Sequence, residues 1–184
     1  MFEKDPFIFK KISLDDFNFL KSILQDEELM KLGWGKTYCD LEVKGWINKI
    51  IQQYDSYGYS YFIVEEADNK RILGIAGIIK TTINSATLNE IAYIVKKDYQ
   101  GLSYGTKIVH QIVDLAFDNF NLPQIVAQFI PENIASKKIL EKNGFTYEFS
   151  YQRNQNGLLK DHLVYQLKNQ SLSEDKKIMR NNEF

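Results

Sequence analysis

The chain is poor in metal ligands and crosslinks. Cysteine occurs once, at Cys39, and histidine twice, at His110 and His162. No intramolecular disulfide can form, and a structural zinc site lacks its ligand set. Proline occurs three times and glycine ten times in 184 residues, and neither clusters into a linker. No apolar run reaches the length that crosses a bilayer. The start, Met1-Phe2-Glu3-Lys4-Asp5-Pro6, lacks the apolar core of a secretion signal. Neither charge sign dominates: 23 Lys and Arg face 24 Asp and Glu, a net charge of −1, without the basic excess of a general nucleic-acid binder. The expectation is a cytoplasmic protein with no metal, no nucleic-acid partner and no membrane partner.

What is present is enough apolar material for one core. Hydrophobic residues make up 44% and aromatics 14%, and the length suits one domain. Phe7 to Ile12 reads as a strand. Ser13 with Asp16 forms a variant capping box, opening a helix with Leu14, Phe17, Leu20, Ile23 and Leu24 on one face. A second helix is expected over Leu41–Tyr54, capped by Asp40, with Trp46, Ile47, Ile50 and Ile51 as its stripe. Ser60–Glu66 and Ile72–Ile79, around the Asp68-Asn69-Lys70 turn, make a hairpin that Thr87–Val95 extends.

Periodic apolar residues at Ile108, Val109, Ile112, Val113, Ala116 and Phe117 predict a helix from Gly105 to about Asn119. A strand over Gln124–Ile130 and a helix over Asn133–Asn143, stopped by Gly144, come next. Strands near Thr146–Gln152 and Lys160–Leu167 flank Asn156-Gly157, a strong hairpin signal. The predicted class is one α/β domain over residues 1–168, with a mixed, largely antiparallel sheet and helices on both faces. Residues 169–184 are polar, without periodicity, and read as a disordered tail.

Two segments carry chemistry. Gln100-Gly101-Leu102-Ser103-Tyr104-Gly105 lies between a strand and a helix, a layout that aims backbone N–H groups and a helix N-terminus at one point suited to a phosphate. No acidic residue stands in the loop to repel an anion. The second segment is Pro131-Glu132-Asn133-Ile134-Ala135-Ser136-Lys137-Lys138-Ile139-Leu140-Glu141-Lys142-Asn143-Gly144-Phe145.

Together, and in this order from Phe7 to Leu167, these segments resemble the GNAT superfamily of acyl-CoA-dependent N-acyltransferases. Asn133-x-x-Ser136, the Leu140-to-Phe145 ending and the Asn156-Gly157 hairpin resemble its Rim-type branch, whose members acetylate protein N-termini, those of ribosomal proteins especially. The resemblance implies acetyl-CoA as acyl donor, a primary amine as acceptor and direct transfer with no acyl-enzyme. It implies that backbone groups of Tyr93, Ile94 and Val95 pair with pantetheine. Gln100, Gly101, Ser103, Tyr104 and Gly105 would surround the pyrophosphate, and Asn133, itself a good helix N-cap, would bond the pantetheine arm; Lys137 and Lys138 either meet the ribose phosphate or stand on a solvated helix face. Two departures stand out: Ser103 replaces the loop's middle glycine, and Leu140 replaces the tyrosine with which many relatives protonate the leaving thiolate.

Glu90 shares a strand face with Leu88, Ala92 and Ile94. It reads either as a general base with a raised pKa or as an exposed strand-edge carboxylate. Ser136 orients or protonates the thiolate, or is a surface serine. Trp34, Tyr59 and Tyr151 are candidate walls of the acceptor pocket, or ordinary packing. The expected activity is N-acetylation of a protein N-terminal amine, by a monomer or homodimer. Its alternatives are a polyamine or aminoglycoside acetyltransferase, which a strongly acidic pocket would favour, and a non-catalytic acyl-CoA sensor.

Overall fold

The computed structural model describes residues 6–155 and 157–170. Seven strands form one sheet: β1 (Phe7–Lys11), β2 (Tyr61–Glu66), β3 (Ile72–Ile83), β4 (Ala86–Val95), β5 (Gln124–Phe129), β6 (Thr146–Gln155) and β7 (Leu158–Lys168). Their order is β1-β2-β3-β4-β5-β7-β6. Every pairing is antiparallel except β4 with β5, as the predicted class required. A parallel pair needs a crossover, and α4 (Tyr104–Asp114), continued by a wider π turn over Leu115–Asn119, provides it.

Each face of the sheet is covered by helices. On one lie α4 and α5 (Ile134–Lys142), over a core that includes Ile78, Ile91, Ile125 and Phe129. On the other lie α1 (Phe17–Leu24), α2 (Glu27–Lys31) and α3 (Asp40–Tyr57), packed on Tyr61, Ile63 and Ile75. The apolar periodicity of α1 buries Leu20, Ile23 and Leu24, but Leu14 is exposed. The reason is that Leu14–Asp16 forms a 3-10 turn, held by Ser13 N–H donating to Asp16 at 2.8 Å, and this turn rotates Leu14 off the α1 stripe.

Asp40 lies inside α3 rather than capping it. Cys39 is extended and its N–H donates to the Glu42 carboxylate at 2.9 Å, so the box starts one residue earlier. The buried face of α3 is Val43, Ile47, Ile50 and Tyr54, with Trp46 and Ile51 at its margins. The short α2 had no counterpart in the sequence reading. Five residues give no periodicity, and Asp26 starts the helix by accepting from Glu28 and Leu29 N–H at 3.0 Å.

The described residues continue past the expected boundary at residue 168. Asn169 is buried, and its N–H donates to the Pro123 carbonyl at 3.0 Å. Residues 171–184, like Asn156 of the predicted hairpin turn, lie outside the described residues.

Candidate active site

The parallel pair is the origin of the site. β4 and β5 pair only at Glu90 with Val126. Beyond Glu90, β4 stays bonded to β3 as far as Val95 but no longer to β5. The two strands part like a V, and the backbone of Tyr93, Ile94 and Val95 on the β5 side has no strand partner. An extended chain with amide groups meets there what an added strand meets at a sheet edge.

At the open end of β4 the chain turns into α4. Gly101 has φ +74° and Ser103 φ +64°. Ser103 therefore occupies the left-handed region that the missing glycine would fill freely, a strain on the order of 1 kcal/mol. Its hydroxyl does not cap the helix. The first N–H groups of α4, from Tyr104 and Gly105, have no intrahelical acceptor and point out of the helix end. Gly105 matters for packing: a Cβ there would stand 2.8 Å from Ile139 Cδ1 of α5, so glycine lets the two helices close.

Two residues of the loop are committed elsewhere. Gln100 donates from its side chain to the Val95 carbonyl at 2.9 Å and from its N–H to Lys97, so it fastens the loop to the strand end. The Tyr104 hydroxyl donates to Glu66 at 2.5 Å. This bond, with those from Asn69 and Arg71, holds the Glu66 carboxyl down at about 2. Lys138 is exposed on α5. The residues that remain, a positive-φ turn, a free helix N-terminus and a split strand pair, fit a phosphate joined to an amide-bearing arm.

Where the V opens lies a cavity of ≈ 90 Å³. Glu90 forms part of its floor and is 7% exposed. Burial raises its pKa against the opposing effect of Gln128, whose Nε2 donates to Glu90 Oε2 at 2.7 Å. Gln128 in turn accepts from the Tyr151 hydroxyl, so Tyr151 stands behind the cavity and sets the amide's orientation. Glu90 is therefore buried, not an exposed strand-edge carboxylate.

The cavity's other walls come from four places. Asn133 caps α5 by accepting from Ser136 N–H at 3.0 Å, which leaves its amide nitrogen free to donate. The Ser136 hydroxyl bonds the Tyr93 hydroxyl at 2.8 Å. Burial holds the Tyr93 phenol protonated, with its pKa up at about 12. Leu140 is fully buried in the α4–α5 core and faces away.

Trp34, from the loop after α2, packs edge-on against Tyr61 at 6.0 Å and Trp46 at 6.1 Å, making one aromatic wall. From the far hairpin come Arg153 of β6 and His162 of β7. His162 Nδ1 lies 3.1 Å from the Lys160 carbonyl, which can only accept, so Nδ1 carries the proton and Nε2 is the basic nitrogen. Burial lowers the His162 pKa and keeps the ring neutral.

The structure thus brings Glu90, Tyr93, Ile94, Asn133, Ser136 and Trp34 to one cavity. Tyr59 is apart from it: its ring packs on Phe120 at 4.9 Å and its hydroxyl donates to Asn89 at 2.8 Å. Sequence reasoning missed Tyr61, Gln128, Arg153 and the hydroxyl of Tyr93. For Arg153 a signal existed. Along β6, Tyr151, Arg153 and Gln155 are covered while Ser150, Gln152 and Asn154 are exposed. That alternation places all three on the face toward the cavity.

The split parallel pair and the positive-φ turn at its mouth can be set beside known proteins. The model of the GNAT acetyltransferase domain matches residues 7–146, and the chain belongs to that family. The chain is 30% identical over 111 residues to the probable N-acetyltransferase YjcK of Bacillus subtilis, covering 59% of this chain and 61% of the relative. It spans about three fifths of the first two curated relatives it matches.

Among solved structures, the spermidine N-acetyltransferase of Vibrio cholerae, in complex with CoA and spermine, superposes with a TM-score of 0.74 at 21% identity, over 90% of this chain and 96% of that one. The ribosomal-protein-S5-alanine acetyltransferase of Vibrio fischeri gives 0.71 at 22% identity, over 91% and 96%. At these identities the likeness is one of fold.

Proposed function

We propose that the protein transfers an acetyl group from acetyl-CoA to a primary amine by direct attack. The observation that carries this reading is the convergence, in one cavity at the fork of β4 and β5, of a buried carboxylate, Glu90, and a half-buried phenol, Tyr93. The acceptor amine must lose a proton and the departing sulfur must gain one. Glu90, with a pKa raised by burial, is suited to take the first, directly or through water. Tyr93, protonated and bonded to Ser136, is suited to give the second. It supplies from β4 the hydroxyl that Leu140 does not supply from α5. The nitrogen–carbon bond forms to give a tetrahedral intermediate, the carbon–sulfur bond breaks as that intermediate collapses, and the two protons are accounted for by these two groups. Backbone N–H groups of β4 would receive the developing oxyanion. Acetyl-CoA would lie along the β4 edge, with Asn133 on its arm and its pyrophosphate at the start of α4.

His162 supports a second assignment of the base. It is neutral, lines the same cavity and presents Nε2. Glu90→Gln and His162→Gln, compared by the acid limb of kcat/KM, separate the two: the limb belongs to whichever residue abolishes it.

For the acceptor we favour an N-terminal type of amine, the Rim-type reading, over a polyamine. A polycation needs an acidic surplus, and the cavity holds one carboxylate beside one arginine. Asp26 and Glu28 do not supply that surplus, since Lys97 pairs with Asp26 at 2.9 Å and Glu28 at 2.7 Å. CoA-thiol release from acetyl-CoA, measured across N-terminal peptides, polyamines and aminoglycosides, tests the reading. Release with peptides supports it, release only with polyamines moves the acceptor to the alternative, and release with none leaves an acyl-CoA-binding sensor.

A further inference from the structure

We infer that Arg153 selects acceptors carrying a carboxylate beside the reacting amine, so that the amine reaches the Glu90 side of the cavity while the carboxylate rests on the guanidinium. The inference builds on the N-acetyltransferase reading.

Arg153 lies on β6 between two residues that are occupied on the same face. Tyr151 donates to Gln128, and Gln155 donates to the Gly33 carbonyl at 3.0 Å. Arg153 is half-buried and lines the cavity; its backbone pairs with β7, but its guanidinium makes no hydrogen bond or ion pair with any described residue. Glu90, on the same cavity, is not its ion-pair partner, and Glu90 Oε2 is already taken by Gln128. A guanidinium offers five donors, and holding it partly out of water without an acceptor is costly. A carboxylate removes that cost through paired hydrogen bonds of matching geometry.

Among the described residues, Arg153 is the one lysine or arginine that lines the cavity. The larger groove outside the cavity is lined by Lys31 and Lys160 but also by Glu132 and Asp161, so its charges cancel. Within the cavity the Arg153 charge acts on Glu90, Tyr61, Tyr151 and His162, groups on four different strands. A polyamine would bring a second cation against Arg153. An amine with a carboxylate would bring an anion, and would offset the two charges of the cavity with its own.

The test compares matched acceptors in the CoA-release assay: free amino acids against their amides, and peptides opening with Asp or Glu against those opening with Asn or Gln. The first pair reports a small-molecule acceptor and the second a peptide acceptor. In one of the pairs the carboxylate form should be preferred by about 10–100-fold in kcat/KM, the span of a charge-assisted hydrogen-bond pair. Arg153→Gln should collapse that preference towards unity, chiefly through KM, and Arg153→Lys should keep part of it. Melting curves of both variants confirm that the comparison is between folded proteins. Equal or better use of the amide forms by the unaltered protein, or a preference that survives Arg153→Gln, overturns the role of Arg153 and leaves acetyl transfer standing. No CoA release with any amine overturns both.

Discussion

Replacing Glu90 by glutamine should push rate and stability in opposite directions. The side chain is 7% exposed and is held by Gln128 at 2.7 Å, with Thr81 also bonding it. Glutamine keeps the volume and still offers an oxygen to Gln128 Nε2, so the cavity's shape survives. What disappears is a proton acceptor. Loss of a general base costs about 10²–10⁴-fold in rate, or roughly 2.7–5.5 kcal/mol of barrier.

Stability moves the other way because the folded pKa of Glu90 is raised by burial. A carboxyl in that state binds its proton more tightly folded than unfolded. Its penalty is absent in acid, grows as pH rises from the ordinary carboxylate range, near about 4, and is complete above the folded value. Glu90→Gln removes the penalty. The variant should therefore melt higher than the parent at neutral pH, and the gain should fade in acid. Its acid limb in kcat/KM, placed above the ordinary carboxylate range in the parent, should vanish. The measurements are CoA release and melting temperature, each from acid to neutral pH. An unchanged rate, or a variant that melts lower at neutral pH, refutes the reasoning.

Other outcomes follow from the same geometry. Tyr93→Phe should lower kcat with little change in acetyl-CoA affinity, because it removes only the hydroxyl bonded to Ser136; an unchanged kcat would take Tyr93 out of thiolate protonation. Gly105→Asp should weaken acetyl-CoA binding at least tenfold, about 1.4 kcal/mol, since its Cβ would meet Ile139 and its charge would face the pyrophosphate in the proposed placement; calorimetric titration showing intact affinity would contradict that placement. Leu140→Ala should cost about 2–5 kcal/mol of stability, read by denaturant unfolding, because the side chain is fully buried. Ser103→Gly should raise stability slightly by relieving the φ of +64°, and a lower midpoint in urea would count against strain there.

The sequence by itself determined the order of the longer elements, the class of sheet and the two segments at the fork. Those features are written in local terms: a period of two or 3.6, a glycine in a turn, an asparagine before a helix. Gly101, Asn133 and Gly144 could be read because each does its work within a few residues of itself. Tertiary structure decided which of the chemical residues meet. Glu90 had two readings until the single bridge to Val126 showed that β4 is interior at that point and parts from β5 just beyond. Tyr93 bonds Ser136 across 43 positions of sequence, Gln128 bonds Glu90 across 38, and Arg153 reaches them from the far hairpin. Tyr59 went astray for the same reason, since an aromatic beside a strand start has no local mark that separates core from cavity. Periodicity fixes that a residue turns inward; only the packing of strands distant in the chain fixes what it turns toward.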